Sequence, residues 1–76
     1  MKEVLLYIAR GLVDDPDAVA VEEERGDGVV RLLLTVAADD RGKIIGRGGR
    51  TIRAIRDVVR AAATRSGVNV QVELVG

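Results

Sequence analysis

Apolar positions along the chain fall into six periodic segments separated by short polar or glycine-rich breaks. Val4, Leu5, Ile8 and Leu12 recur at helical spacing, which predicts an amphipathic helix over residues 2–13. Asp14-Asp15-Pro16-Asp17 ends it, because Pro16 disfavours helical dihedrals at Asp15. Val19 to Arg25 reads as a strand whose glutamates belong on or near an exposed edge. Gly26-Asp27-Gly28 is a turn, so the next segment is a hairpin partner. Val29 to Val36 carries the strongest strand pattern, with Val30, Leu32, Leu34 and Val36 on one face and Arg31 and Thr35 on the other. Ala38-Asp39-Asp40 offers a helix N-cap, and a short helix follows to about Ile45. Gly46-Arg47-Gly48-Gly49 interrupts it. A longer helix spans Arg50 to Arg65, with Ile52, Ile55, Val59 and Ala62 as one apolar stripe, and Gly67 closes it. Val68, Val70, Val72 and Leu74 then alternate with Asn69, Gln71 and Glu73, a half-buried strand. The order α-β-β-α-α-β predicts an α+β, two-layer sandwich: a three-stranded sheet with one face under three helices and the other open.

Composition narrows the function classes. With 76 residues the chain makes one small domain, 1–76, and its core is thin. It has no Cys, which excludes disulfides and thiolate metal sites. It has no His, which removes the commonest general base and zinc ligand. Asp39 and Asp40 form an adjacent acid pair, but no nucleophile–base pair accompanies them, so neither an enzyme nor a cofactor is expected. No apolar run approaches the ~20 residues of a membrane span, and Met1 to Leu12 is too short and mixed for a signal peptide. A cytoplasmic protein without a membrane partner is therefore expected. The net charge of zero hides a division. Residues 1–40 carry four basic and ten acidic residues, net −6, and residues 41–76 carry eight basic and two acidic, net +6. Such asymmetry points to contact with a polyanion.

The glycine break lies within the basic half. The phosphate-loop pattern G-x-x-x-x-G-K-[ST] fails, because Arg47 stands five residues after Gly42. The dinucleotide pattern G-x-G-x-x-G fails at Thr51. What fits is I-G-x-x-G-x-x-I, from Ile45 to Ile52, with helices on both sides. Gly46 can end the first helix with positive φ at no steric cost. Gly49 opens the second, where amides lack intrahelical partners and the dipole end is positive. A loop without side-chain bulk lets a sugar-phosphate backbone approach those amides, and Arg47 at its tip adds a charge-assisted contact. Seven cations against one acid occupy residues 41–60.

This stretch resembles the KH-domain signature, and the element order is similar to the type II, prokaryotic, KH arrangement. Leu12 to Val19 after the first helix, and Val58 to Ala63 in the last, resemble the small bacterial single-KH proteins of the KhpA (YlqC) family; the resemblance covers essentially the whole chain. It implies that Gly46, Arg47, Gly48 and Gly49 clamp the backbone of about four nucleotides of single-stranded RNA. It further implies that Ile45 and Ile52 form part of the groove floor and that Lys43 and Arg50 contact the backbone. Arg53, Arg56 and Arg60 extend the positive surface. An RNA chaperone or post-transcriptional regulator is the function implied. The alternative is a dimerisation scaffold, as a homodimer or with a KhpB/Jag-like KH protein, that itself binds RNA weakly. Ala61, Ala62 and Ala63 offer a small-residue surface for close helix packing, with Ala62 expected against the chain's own sheet. Tyr7 is the sole aromatic and is expected to pack within the protein, so base stacking worth ~1–3 kcal/mol per base is absent. Affinity about micromolar or weaker follows, with modest sequence preference.

Overall fold

The structure is a computed structural model that describes residues 1–75; Gly76, the last residue of the expected domain, lies outside the described residues. The first helix, α1, spans Lys2–Leu12. A 3-10 turn at Pro16–Ala18 leads into β1, Ala20–Gly26, and β2, Val29–Thr35. A second 3-10 turn, Ala38–Asp40, precedes α2, Arg41–Ile45. The glycine segment Arg47–Gly49 forms a third, and α3, Arg50–Arg65, leads to β3, Asn69–Leu74. The predicted α+β order is therefore observed, with each boundary within two residues of its expected position.

The sheet has the order β1-β2-β3. β1 and β2 are antiparallel, with Val21 opposite Leu34 and Gly26 opposite Val29. Asp27 and Gly28 close this hairpin with φ of 53° and 75°, the positive pair that an Asp-Gly two-residue turn supplies. β2 and β3 are parallel, with Val30 opposite Val70 and Leu32 opposite Val72. A parallel partner needs a long crossover, and α2, the glycine segment and α3 together form it. The glycine segment thus sits between two helices that the sheet holds at both ends.

The core lies between the sheet and one layer of helices. Val21, Val30, Leu32, Leu34, Val70 and Val72 of the sheet meet Leu5 and Ala9 of α1, Ile44 of α2, and Ile52, Ile55, Val59 and Ala63 of α3. Two details differ from the sequence reading. The α3 stripe ends on Ala63, 1% exposed, and Ala62 is only half-buried. The sheet meets the helix along a line that drifts around it, which favours the i+4 step from Val59 over i+3. In α1 the buried line is Leu5 and Ala9, and Leu12 is left 40% exposed at the helix end. The α3 C-terminus is a Schellman turn: Val68 N–H donates to the Ala63 carbonyl and Gly67 N–H to that of Thr64, both at 3.0 Å, with Gly67 at φ 71°.

The opposite sheet face is open, as expected, and acidic. There Arg31 lies between Glu24 and Glu73, 3.6 and 2.7 Å away, and Glu22 is exposed without a partner among the described residues. The hydrogen bond from Arg31 to Glu73, and the attraction between their charges, raise the Arg31 pKa further.

Candidate nucleic-acid interface

Three glycines shape the segment between α2 and α3. Gly46, Gly48 and Gly49 have φ of 74°, 64° and 79°, a region L side chains rarely adopt, while Arg47 between them does not. Gly46 is doubly constrained. Its ψ of 171° places it where glycine alone is at ease, and a Cβ would lie 2.8 Å from the Thr51 backbone nitrogen. At Gly48 and Gly49 the space is open, so only the dihedrals demand glycine.

Backbone bonds close the segment into a tight corner. Gly46 N–H donates to the Gly42 carbonyl at 2.9 Å, and Gly49 N–H to that of Gly46 at 3.1 Å. Arg50 N–H in turn donates to Arg47 O. This corrects the expectation that the unpartnered amides begin at Gly49. Among the described residues, those of Arg47 and Gly48 at the tip lack a backbone acceptor. The 3-10 turn satisfies Gly49, which moves the donors outward by one or two residues.

The predicted residues are not equivalent. Arg47, Gly48, Arg50 and Arg53 are exposed, and Gly46 and Gly49 half-buried. Ile45 is 38% exposed, an apolar surface beside the loop, whereas Ile52 is 9% exposed and belongs chiefly to the core. Lys43 is engaged: its Nζ lies 3.1 Å from Asp14 and 3.7 Å from Asp40. The hydrogen bond to Asp14 and attraction to it raise the Lys43 pKa against the opposing effect of partial burial.

Two further arginines of the basic half serve the fold. Arg41 donates to the Val75 carbonyl at 2.8 Å. Arg56 Nε donates to the Val72 carbonyl at 3.1 Å. Val75 N–H bonds Leu34 on the β2 side, so by alternation Val72 faces the open edge of β3, which Arg56 caps. Arg56 thus acts as an edge cap as well as a source of positive charge. At about 100° per residue, Arg53, Arg56 and Arg60 share one flank of α3, Ala54, Val58, Ala62 and Arg65 lie on the other, and Arg50 and Ala61 lie between them opposite the core. Val58 is 51% exposed on that second flank.

A profile described as "KhpA/KhpB, KH domain" matches residues 2–74. This chain belongs to the KhpA/KhpB family of KH domains. Among its relatives, a protein of Chlamydia trachomatis named RNA-binding protein KhpA is 47% identical over 74 residues, covering 97% of this chain and 95% of that one. One of the same name from Clostridium acetobutylicum is 47% identical over 75 residues, covering 99% and 100%. Among solved structures, Aquifex aeolicus Era bound to GDP.AlF4- superposes with a TM-score of 0.68 at 24% identity, over 96% of this chain and 28% of that one. Era in complex with MgGDPNP and nucleotides 1506–1542 of 16S ribosomal RNA gives 0.63 at 23%, over the same shares. These two likenesses support the KH fold.

Sequence reasoning missed three features. Tyr7 was expected to pack inside, yet it is 82% exposed, because α1 buries Leu5 and Ala9 on the opposite side. Thr51 occupies the space a side chain at position 46 would need, a contact with no sequence signature. Asp40 sits at the start of α2 but does not cap it. Its carboxylate, 2% exposed, accepts from the amides of Asp14 and Asp15 at 3.2 and 3.1 Å. Burial pushes this carboxyl up, but the two amides and the Lys43 ammonium outweigh it and hold it below the usual carboxylate range.

Proposed function

We propose that this chain binds single-stranded RNA through the glycine corner and acts as an RNA chaperone or post-transcriptional regulator. The observation that carries the reading is the corner itself, where the amides of Arg47 and Gly48 have no backbone acceptor among the described residues and the space at Gly48 and Gly49 is open. Backbone phosphates bind those amides, and the Arg47 guanidinium adds a charge-assisted contact. Gly46 and Gly49 supply the geometry. Arg50 and Arg53 continue the phosphate track along α3. Ile45 and the edge of Ile52 lie under the bases, and about four nucleotides are held. Lys43, already paired with two carboxylates, adds least. The names of the family relatives support the ligand class.

The scaffold reading draws on one observation, the exposed Val58 near Ala54 and Ala61 on the side of α3 away from Arg53, Arg56 and Arg60. That flank suits a second helix, from another copy or from a KhpB/Jag-like KH protein, without blocking the basic flank.

Fluorescence anisotropy with a labelled single-stranded RNA tests the clamp. Three or four neutralised phosphates give a slope of log K against log salt of about −2 to −3. The double variant Arg47→Asp, Gly48→Asp places two carboxylates at the tip and abolishes binding while circular dichroism stays native. Retained affinity, or a wild-type slope near zero, overturns the clamp.

A further inference from the structure

α2 is too short to position itself. Five residues are far below the length at which a helix is stable alone, and Ile44 is its only buried residue. Yet the corner that follows depends on it directly, through the bond from Gly46 N–H to Gly42 O. Polar ties compensate, and each runs from the start of α2 to a different part of the chain. Arg41 reaches the Val75 carbonyl beyond β3, and Lys43 reaches the Asp14 carboxylate. Asp40 differs from both in kind. It is the buried charged residue in a core otherwise apolar among the described residues. Each of its carboxylate oxygens accepts one backbone amide from the α1–β1 connection, 25 and 26 residues away.

A buried charge is a poor source of stability, because desolvation offsets most of what its partners return. What two hydrogen bonds to rigid backbone amides do supply is direction. They set the distance and angle between α2 and the chain that leaves α1. We infer that Asp40 is the positioning residue of the glycine corner: it clasps the Asp14–Asp15 backbone to the head of α2 and so places the amides of Arg47 and Gly48. The inference rests on the RNA-binding reading only for its consequence, since the clasp itself is intramolecular.

Asp40→Asn tests this, because the amide keeps the shape but offers one acceptor oxygen where two are used. Hydrogen exchange followed by NMR reads the corner directly. Exchange at Gly46 and Gly49 rises about tenfold, as expected when a local opening loses one hydrogen bond to a charged acceptor. Exchange in β2, which reports global unfolding, changes much less. RNA affinity falls about three- to tenfold, a typical size for an indirect coupling. Asp40→Glu retains the charge one methylene further out and restores part of both effects. Asp14→Asn removes the Lys43–Asp14 pair but keeps both backbone donors to Asp40, and raises exchange at the corner much less than Asp40→Asn does. Two results overturn the inference. One is unchanged exchange at Gly46 and Gly49 in Asp40→Asn. The other is an equal rise at the corner and in β2, which makes Asp40 a general stabiliser only. If the wild type binds no RNA, the RNA-binding reading falls and the exchange comparison still decides the clasp.

Discussion

At Gly46 the constraints are backbone dihedrals and Thr51 together. A φ of 74° with ψ of 171° is strained for any L residue, and the Thr51 backbone fills the remaining space. Gly46→Ala is expected to lower stability by at least about 1–3 kcal/mol, the range for a residue forced into such a region, and to abolish RNA binding with it. Chemical denaturation measures the first effect and anisotropy the second. A variant with wild-type values on both contradicts the geometry of the corner. The need for glycine here was legible from the motif. The role of Thr51 was not, because a contact across five residues of irregular chain has no periodic signature.

At the scale of elements, α3 does two things at once. Its buried line, Ile52, Ile55, Val59 and Ala63, packs on the sheet, and its arginine flank continues from the glycine corner. Helical periodicity showed the stripe and its first three members. It did not choose between Ala62 and Ala63, because both lie within one turn of Val59 and both are small. That choice is testable. Ala63→Leu overpacks the core and destabilises by about 1–3 kcal/mol, whereas Ala61→Leu on the exposed side stays within about 0.5 kcal/mol. Thermal or urea unfolding of both variants checks the order, and equal losses contradict the packing. For α2 the periodicity gave the extent of the helix but not how it is held. Asp40 looked like a cap because acids at helix starts usually are, and its real partners lie in another part of the chain.

For the whole molecule, the split in charge along the sequence becomes a split in space. Glu22 and Glu24 of β1 and Glu73 of β3 lie on the open sheet face, while the exposed Arg47, Arg50, Arg53 and Arg60 lie on the glycine corner and α3. The pH dependence of stability follows from the shifted groups. Asp40 has a folded pKa below its unfolded value, so its contribution is present above about pH 3.9 and is lost as pH falls through the folded pKa. Lys43 has a raised pKa, so its contribution is full below about pH 10.4 and is lost as pH rises through the folded value. With no His in the chain, neither group titrates between about pH 5 and 9, and the midpoint of thermal unfolding stays flat there. It drops below about pH 4, and Asp40→Asn makes that acid limb shallower. A step in the wild-type profile near pH 6 contradicts the assignment.

Local chemistry in the sequence was enough to determine the order of elements, the open and covered sheet faces, the glycine corner and the basic half that surrounds it. Each of these follows from periodicity, turn residues or charge counted over a short window. The tertiary structure alone decided which cations remain free, which amides at the corner lack partners, and that a buried carboxylate ties α1 to α2. Those outcomes depend on which distant groups meet: α1 ends beside α2, which pairs Lys43 with Asp14, whereas Arg47 is exposed at the loop tip and has no ion-pair partner among the described residues. Contacts of that kind are set by how the elements pack, and packing leaves no trace in the spacing of residues along one segment.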